Sequence, residues 1–231
     1  SLTHDDAIVV SDFEHHANYL PWKELAKRKG SPFSVIKSDA SGYIQSSEIE
    51  KNITELTAIV AISALSNVTG VLQDMPRLIA SIREIAPHAV VIVDAAQYVA
   101  HEAMDVRKWD ADFVAFSGHK LYGPTGIGVL YGRKDLLKVL PPRIYGGGMV
   151  LDAYSEKSTY KASPERFEAG TLNISGIFAL GTAIDFVKSI GYETLKRHDQ
   201  KLQKYAQERL QDTFGELVTV IGGKDYTKRA G

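Results

Sequence analysis

The run Thr57-Ala58-Ile59-Val60-Ala61-Ile62-Ser63 is almost without polar side chains. A strand with one solvated face alternates apolar and polar residues; a strand this uniformly apolar belongs in a sheet covered on both faces, as parallel sheets are. Comparable runs recur at Ile8 to Ser11, Phe33 to Ile36, Ala89 to Val93, Asp112 to Phe116 and Ile127 to Tyr131, and Leu217 to Ile221 reads as a last strand. Helical signals fall between them. Pro21 suits the first turn of a helix that Gly30 ends, and Ser46 or Ser47 suits the cap of a short helix to Asn52. Asp74 caps a helix with Leu78, Ile79, Ile82 and Ile85 on one face. Ile177, Leu180, Ile184 and Val187 mark another, ended by Gly191, and Leu195, Leu202, Ala206 and Leu210 a further one. Asp152 to Pro164 reads as an irregular polar excursion. The alternation predicts an α/β fold, a mostly parallel sheet with flanking helices.

At 231 residues, 44% of them hydrophobic and 24% charged, the chain can bury a full core. A net charge of -1 gives no basis for a nucleic-acid or membrane-surface partner. Lys27-Arg28-Lys29 falls at a helix end, where cations compensate the dipole. With no cysteine, this stretch holds no disulfide, cysteine-ligated metal or cysteine nucleophile, and no metal site is expected. The composition suits a reducing compartment, and a cytoplasmic protein is expected. The apolar runs are too short to span a membrane. The chain opens directly into Asp5-Asp6-Ala7-Ile8-Val9-Val10, an apparent strand with no lead-in, and stops just after the last expected one, so it reads as a piece of a longer protein. The expected division is a large domain over 1–190, lacking its N-terminal part, and the start of a truncated second domain over 191–231.

Polar groups cluster where strands end. His15 follows the first strand and Asn67 the third; Asp94 ends the fourth, with Gln97 close behind; Ser117, His119 and Lys120 follow the fifth. In a parallel sheet these positions share one edge, where such sheets bind ligands. Each has an ordinary reading: a turn-forming Asp, a solvated Lys, a satisfied His. The glycines of Gly123-Pro124-Thr125-Gly126-Ile127-Gly128 lack both the Lys-Ser/Thr ending of a phosphate loop and the G-x-G-x-x-G that opens a helix. The set carries the argument. Pyridoxal phosphate requires a lysine for its Schiff base and an acid beside its pyridinium nitrogen. Lys120 and Asp94 suit those roles, Ser117 and His119 the phosphate, Asn67 and Gln97 the ring hydroxyl, and His15 the ring face.

Asp94-Ala95-Ala96-Gln97 and Ser117-Gly118-His119-Lys120-Leu121-Tyr122-Gly123-Pro124-Thr125-Gly126 resemble the cofactor signature of the class V aminotransferase-fold enzymes. Glu14-His15-His16-Ala17-Asn18 with Pro21-Trp22, Ser66-Asn67-Val68-Thr69-Gly70 and Arg166-Phe167-Glu168-Ala169-Gly170-Thr171 resemble motifs of the SufS-type cysteine desulfurases and selenocysteine lyases. The resemblance implies fold type I, Lys120 as the Schiff-base lysine, and His15 as a stacking residue that aids proton transfer. It also implies Thr171 as a phosphate contact to a neighbouring subunit of a homodimer, with the Gly146-Gly147-Gly148 loop near that interface. The implied reaction takes L-cysteine to L-alanine, leaves sulfur on an enzyme cysteine, and passes it to an acceptor protein, as in iron–sulfur cluster assembly. In that family the cysteine and a carboxylate-binding arginine lie in a C-terminal domain, and a further threonine in an N-terminal segment, all outside this stretch. Another class V reaction (aminotransferase, epimerase or selenocysteine lyase) and a non-catalytic scaffold remain alternatives.

Overall fold

A computed structural model describes residues 2–223 and 225–230. Its centre is a six-stranded sheet in the order β2-β1-β3-β4-β5-β6, built from β1 (Ala7–Ser11), β2 (Phe33–Ile36), β3 (Thr57–Ser63), β4 (Val90–Asp94), β5 (Phe113–Ser117) and β6 (Gly128–Gly132). The first five are parallel and β6 returns antiparallel to β5. Helices α1 (His16–Lys29), α2 (Ser46–Asn52), α3 (Met75–Ile85) and α4 (Val106–Trp109) make the crossovers. Ile8, Val9, Val10, Val60, Ala61, Ile62, Val91, Val93 and Val114 are wholly buried, as the unalternating runs require. The strand order reverses between β1 and β3, so the loops after those two strands diverge and open a crevice at their carboxyl ends.

Local chemistry accounts for the elements. Asp74 caps α3 by accepting from the Arg77 amide, and Leu78, Ile79 and Ile82 form its buried stripe. Helix α1 ends on Gly30 at φ 68, with Lys27, Arg28 and Lys29 in its last turn. Asp112, buried at the start of β5, accepts from the Val91 amide at 2.7 Å and from the Arg83 guanidinium at 2.6 Å. That pair anchors the end of β5 opposite the one that carries Ser117.

Several expectations differ from the structure. Helix α1 begins at His16, capped by the His15 ring accepting from the Ala17 amide, so Pro21 lies inside the helix. Helix α2 begins at Ser46 with no side-chain cap. Asp152 to Pro164 is not wholly irregular: β7 (Val150–Ala153) and β8 (Ser158–Tyr160) form a small antiparallel sheet. Leu217 to Ile221 forms no strand; a single 3-10 turn, Gly215–Leu217, leads into irregular chain with Leu217 89% exposed. Val220 lines a cavity with Leu202, Ala206 and Leu210 instead of pairing with a sheet edge, and pattern alone makes no strand.

After α5 (Lys134–Val139) the chain reaches α6 (Ile174–Ile190), which Gly191 separates from α7 (Tyr192–Phe214). No residue of α7 is buried. It is tied to the loop after β4 by His101 Nδ1 against Asp199 Oδ2 at 2.7 Å, Lys196 against Glu102 at 2.8 Å, and the Tyr192 hydroxyl donating to the Val99 carbonyl at 3.0 Å. Among the described residues no single helix is long and apolar enough to cross a membrane.

Candidate active site

Four neighbouring strands, β1, β3, β4 and β5, end at one edge of the sheet, and their last residues and the loops after them carry seven of the eight residues expected at a site. Beyond β5 the chain makes one 3-10 turn, Gly118–Leu121, closed by Tyr122 at φ 59. The Gly118 amide donates to the Ile127 carbonyl, and the Gly123 amide to the Gly118 carbonyl, each at 2.9 Å. Both need glycine: a Cβ on Gly118 would lie 2.7 Å from Ile127 Cγ2, and one on Gly123 2.9 Å from the Gly118 carbonyl oxygen. The turn buries Leu121 and leaves Lys120 half-buried.

Asp94 ends β4 in register with Ser63 on one side and Ala115 on the other. One carboxylate oxygen accepts from the Ala96 amide at 2.8 Å; the other has no protein donor among the described residues. Asn67 and Gln97, from adjacent strand ends, line one cavity of about 310 Å³ with Thr69, His101 and Arg229. Ser66 shapes the Asn67 turn by accepting from the amides of Val68 and Thr69. Just behind Gln97, burial pushes the Tyr98 hydroxyl up to about 12, helped by the Glu102 charge and Tyr192; its ring meets Trp109 edge-on at 4.9 Å.

The side chains of Asn67, Gln97, Ser117, His119 and Lys120 make no hydrogen bond or ion pair among the described residues. Buried polar groups are normally paired; Gln97, Ser117 and Lys120 are half-buried, whereas Asn67 and His119 are open to solvent. Five unspent groups at one edge, beside a carboxylate with one free oxygen, form a donor set open to a ligand. Among the described residues, no group of three or more His, Asp or Glu is arranged to hold a metal ion.

Thr171 stands apart. It lies on an exposed loop before α6, where the Gly170 amide donates to the Gly147 carbonyl at 2.7 Å and Asn173 reaches the Gly126 carbonyl at 3.3 Å. A larger cavity of about 840 Å³ lies against Ile59, Val90, Ile92 and Phe113 and is lined mainly by apolar side chains; it holds none of these eight residues.

The structure also shows a group that sequence reasoning quoted but gave no role. Glu14 is buried, and its carboxylate accepts from Ser11 Oγ, Asn18 Nδ2, the Ser63 amide and Ser63 Oγ. Burial pushes its carboxyl above the usual range, against the pull of those donors. The available signal was Asn18 four residues on, one helical turn away.

The parallel sheet with one antiparallel strand, its helical crossovers and a lysine just past β5 define the architecture of fold type I, the large domain of pyridoxal-phosphate enzymes. The class V aminotransferase family model matches residues 1–230, and the chain belongs to that family. A cysteine desulfurase of Pectobacterium carotovorum is 41% identical over 206 residues, 89% of this chain and 50% of its own length. The structure of a cysteine desulfurase from Thermococcus onnurineus superposes with a TM-score of 0.92 at 36% identity, covering 99% of this chain and 56% of that one. A cysteine desulfurase of Escherichia coli superposes at 0.86 with 37% identity, covering 90% and 52%. The chain spans about half the length of the curated relatives it matches.

Proposed function

We propose that the protein to which this chain belongs is a pyridoxal-phosphate-dependent cysteine desulfurase that converts L-cysteine to L-alanine and delivers the sulfur to a protein thiol. The observation that carries this reading is the half-buried, unpaired Lys120 one turn past β5, on the same sheet edge as the half-used carboxylate of Asp94. The unspent donors fit the cofactor in kind: an amine, a carboxylate, two amides, a hydroxyl and an imidazole. When bound, pyridoxal phosphate supplies an aldehyde that captures amines and a ring that takes up electrons released at the substrate α-carbon.

The chain's own residues then have distinct tasks. Lys120 would hold the cofactor through its amine and, as the nearby base when that amine is free, would take the substrate α-proton. Asp94, its first oxygen fixed by the Ala96 amide, offers the second to the ring nitrogen and keeps a proton there. Asn67 and Gln97 bind the ring hydroxyl, and Ser117 and His119 the phosphate. His15, whose Nδ1 accepts from the Ala17 amide at 3.2 Å, carries its proton on Nε2 when neutral. That leaves Nε2–H as the group able to move a proton at the ring face. The thiol that receives sulfur comes from chain beyond this stretch, which contains no cysteine.

A homodimer belongs to the same reading. Ile144, Tyr145, Leu151, Tyr154, Ile174 and Phe178 are exposed, and the Gly170–Gly147 hydrogen bond joins their two segments. Exposed apolar groups on neighbouring segments suit an interface, and Thr171, exposed on the loop between those segments, is the residue this reading gives to a partner's phosphate. Chain beyond residue 190 starts the second domain, and a reducing cytoplasm suits the thiol chemistry.

Adding pyridoxal phosphate to the full-length protein is expected to give an absorbance band at the violet edge of the visible, absent in Lys120→Ala, and alanine is expected to accumulate from L-cysteine. A band that persists in Lys120→Ala rejects the assignment of the lysine. Cofactor uptake without alanine release moves the protein to another class V reaction.

A further inference from the structure

We infer that Glu14 is a positioning residue for His15: its buried carboxylate pins the loop after β1 to the end of β3 and so fixes the imidazole at the cofactor edge. The inference rests on the proposed role of His15 at the ring face and adds the device that holds it there.

The geometry is closed on every side. An ionised carboxylate offers about four lone-pair sites, and Glu14 has four donors, two on each oxygen. Ser11 Oγ and the Ser63 amide reach Oε1, the latter at 2.7 Å; Asn18 Nδ2 and Ser63 Oγ reach Oε2, both at 2.6 Å. Ser11 is the last residue of β1 and Ser63 the last of β3, so one side chain bolts the loop to two adjacent strand ends. Those strands flank the crevice where the strand order reverses. A carboxylate merely filling space would be costly here, because burial opposes its charge.

The hold is transmitted to the next residue by short steps. Asn18 donates its side-chain amide to Glu14 and its backbone amide to the His15 carbonyl at 2.8 Å. The Ala17 amide donates to His15 Nδ1. Asn18 is held in turn by the Trp22 indole, which donates to its Oδ1 at 3.1 Å. The His15 ring is exposed, yet its main chain and one ring nitrogen are fixed by groups whose own positions depend on Glu14. An exposed imidazole tied at one ring nitrogen is biased toward that orientation, which lessens the reorganisation needed to act on a bound group.

The test uses full-length protein and Glu14→Gln, which keeps the shape but turns an NH2 toward either the Ser63 amide or Asn18 Nδ2, one on each carboxylate oxygen and both only able to donate. Without cofactor, the His15 ring resonances are expected to shift in Glu14→Gln, while those of His88, before the start of β4 at the other end of the strands, stay in place. With cofactor, the variant is expected to bind it yet lose about a hundredfold in kcat, the cost of a misplacement of about 1 Å, with KM little changed. Glu14→Gln/His15→Ala is expected to be no slower than His15→Ala alone, since residues acting as one unit are non-additive. An unmoved His15 resonance, or losses that multiply in the double variant, overturns the inference. Should Glu14→Gln fail to fold, Ser63→Ala removes one donor and is read the same way: an unmoved resonance overturns it. Failure of wild-type protein to take up pyridoxal phosphate rejects the functional reading alone, because the cofactor-free resonance still decides what Glu14 does.

Discussion

Ser63 and Asp94 are register partners in adjacent parallel strands, and each ends its strand on a different polar contact: Ser63 on the Glu14 carboxylate, Asp94 on the Ala96 amide. The Ala64 amide also donates to the Asp94 carbonyl at 2.9 Å. The group proposed to hold the ring nitrogen and the anchor of the His15 loop are therefore separated by one rung of the sheet. A rigid parallel ladder, not the loops, sets the spacing between them.

Asp94→Asn tests the carboxylate. Its backbone duties are unchanged, and the amide oxygen can still accept from Ala96, so the fold is expected to stand. What is lost is the charge facing the ring nitrogen. Removing one partner of a buried charged pair costs about 3–5 kcal/mol, equivalent to roughly two to four decades in rate. The expected result is a cofactor-loaded variant with kcat on L-cysteine down by at least about a hundredfold, measured as alanine release; a loss under tenfold would remove Asp94 from the role.

Gly123→Ala tests the turn that presents Lys120. The new methyl would lie 2.9 Å from the Gly118 carbonyl oxygen and 3.2 Å from Leu180 Cδ1. A backbone atom cannot swing aside as a side-chain tip can, so the 3-10 turn must shift. Overpacking of this kind costs about 1–3 kcal/mol. Thermal unfolding should show that loss, and cofactor affinity should fall with it; Gly126→Ala, with φ 75 but open space around its Cβ, should perturb affinity less.

The sheet was legible because its signal is redundant: β3 is bounded at Thr57 and Ser63 by the apolar run itself, and β5 ends at Ser117, as its polar successor requires. The grouping of the candidate residues was legible for a related reason, since parallel strands put Asn67, Asp94 and Lys120 on one edge whatever the helices do. Leu217 to Ile221 misled because a short run with four apolar residues defines a strand only when a neighbour offers an edge. Helix α1 began earlier than Pro21 suggested because His15, an uncommon cap, outcompetes the proline signal. Glu14 was legible only in its local half: Asn18 four residues on could pair with it, but a glutamate in a polar loop looks solvated, and only the fold brings Ser63, far along the chain, to cover it.

Two carboxyls should respond to pH in opposite senses. Folding raises Glu14, chiefly by burial, so its contribution is most favourable when protonated and declines as pH rises from the ordinary glutamate value through the raised one. At Asp39 burial also pushes upward, but the amides of Tyr43, Ser41 and Gly42 and the Gln45 side chain outweigh it and hold the carboxyl below 3.8. Its contribution is present above that value and lost as pH falls through the lowered one. In thermal unfolding, the stability of wild type relative to Glu14→Gln should fall with rising pH, and relative to Asp39→Asn should fall with acid. A Glu14 difference that stays flat between about pH 4 and pH 8 would contradict the first sign.

Phe178→Glu tests the proposed dimer. Phe178 is 79% exposed on α6, yet an aromatic side chain is normally buried, and Ile174, one helical turn earlier, is 69% exposed. Neither packs on the core, so substituting Phe178 should leave the monomer fold intact. An aromatic anchor at an interface contributes about 2 kcal/mol or more, and in a twofold dimer each substitution counts twice. A loss of about 4 kcal/mol weakens association roughly a thousandfold. Sedimentation of the full-length protein should therefore show dimer for wild type and monomer for Phe178→Glu at micromolar concentration. Because Thr171 is proposed to complete the partner's phosphate site, the monomeric variant should also bind pyridoxal phosphate more weakly; a monomer with unchanged cofactor affinity would place Thr171 outside the site.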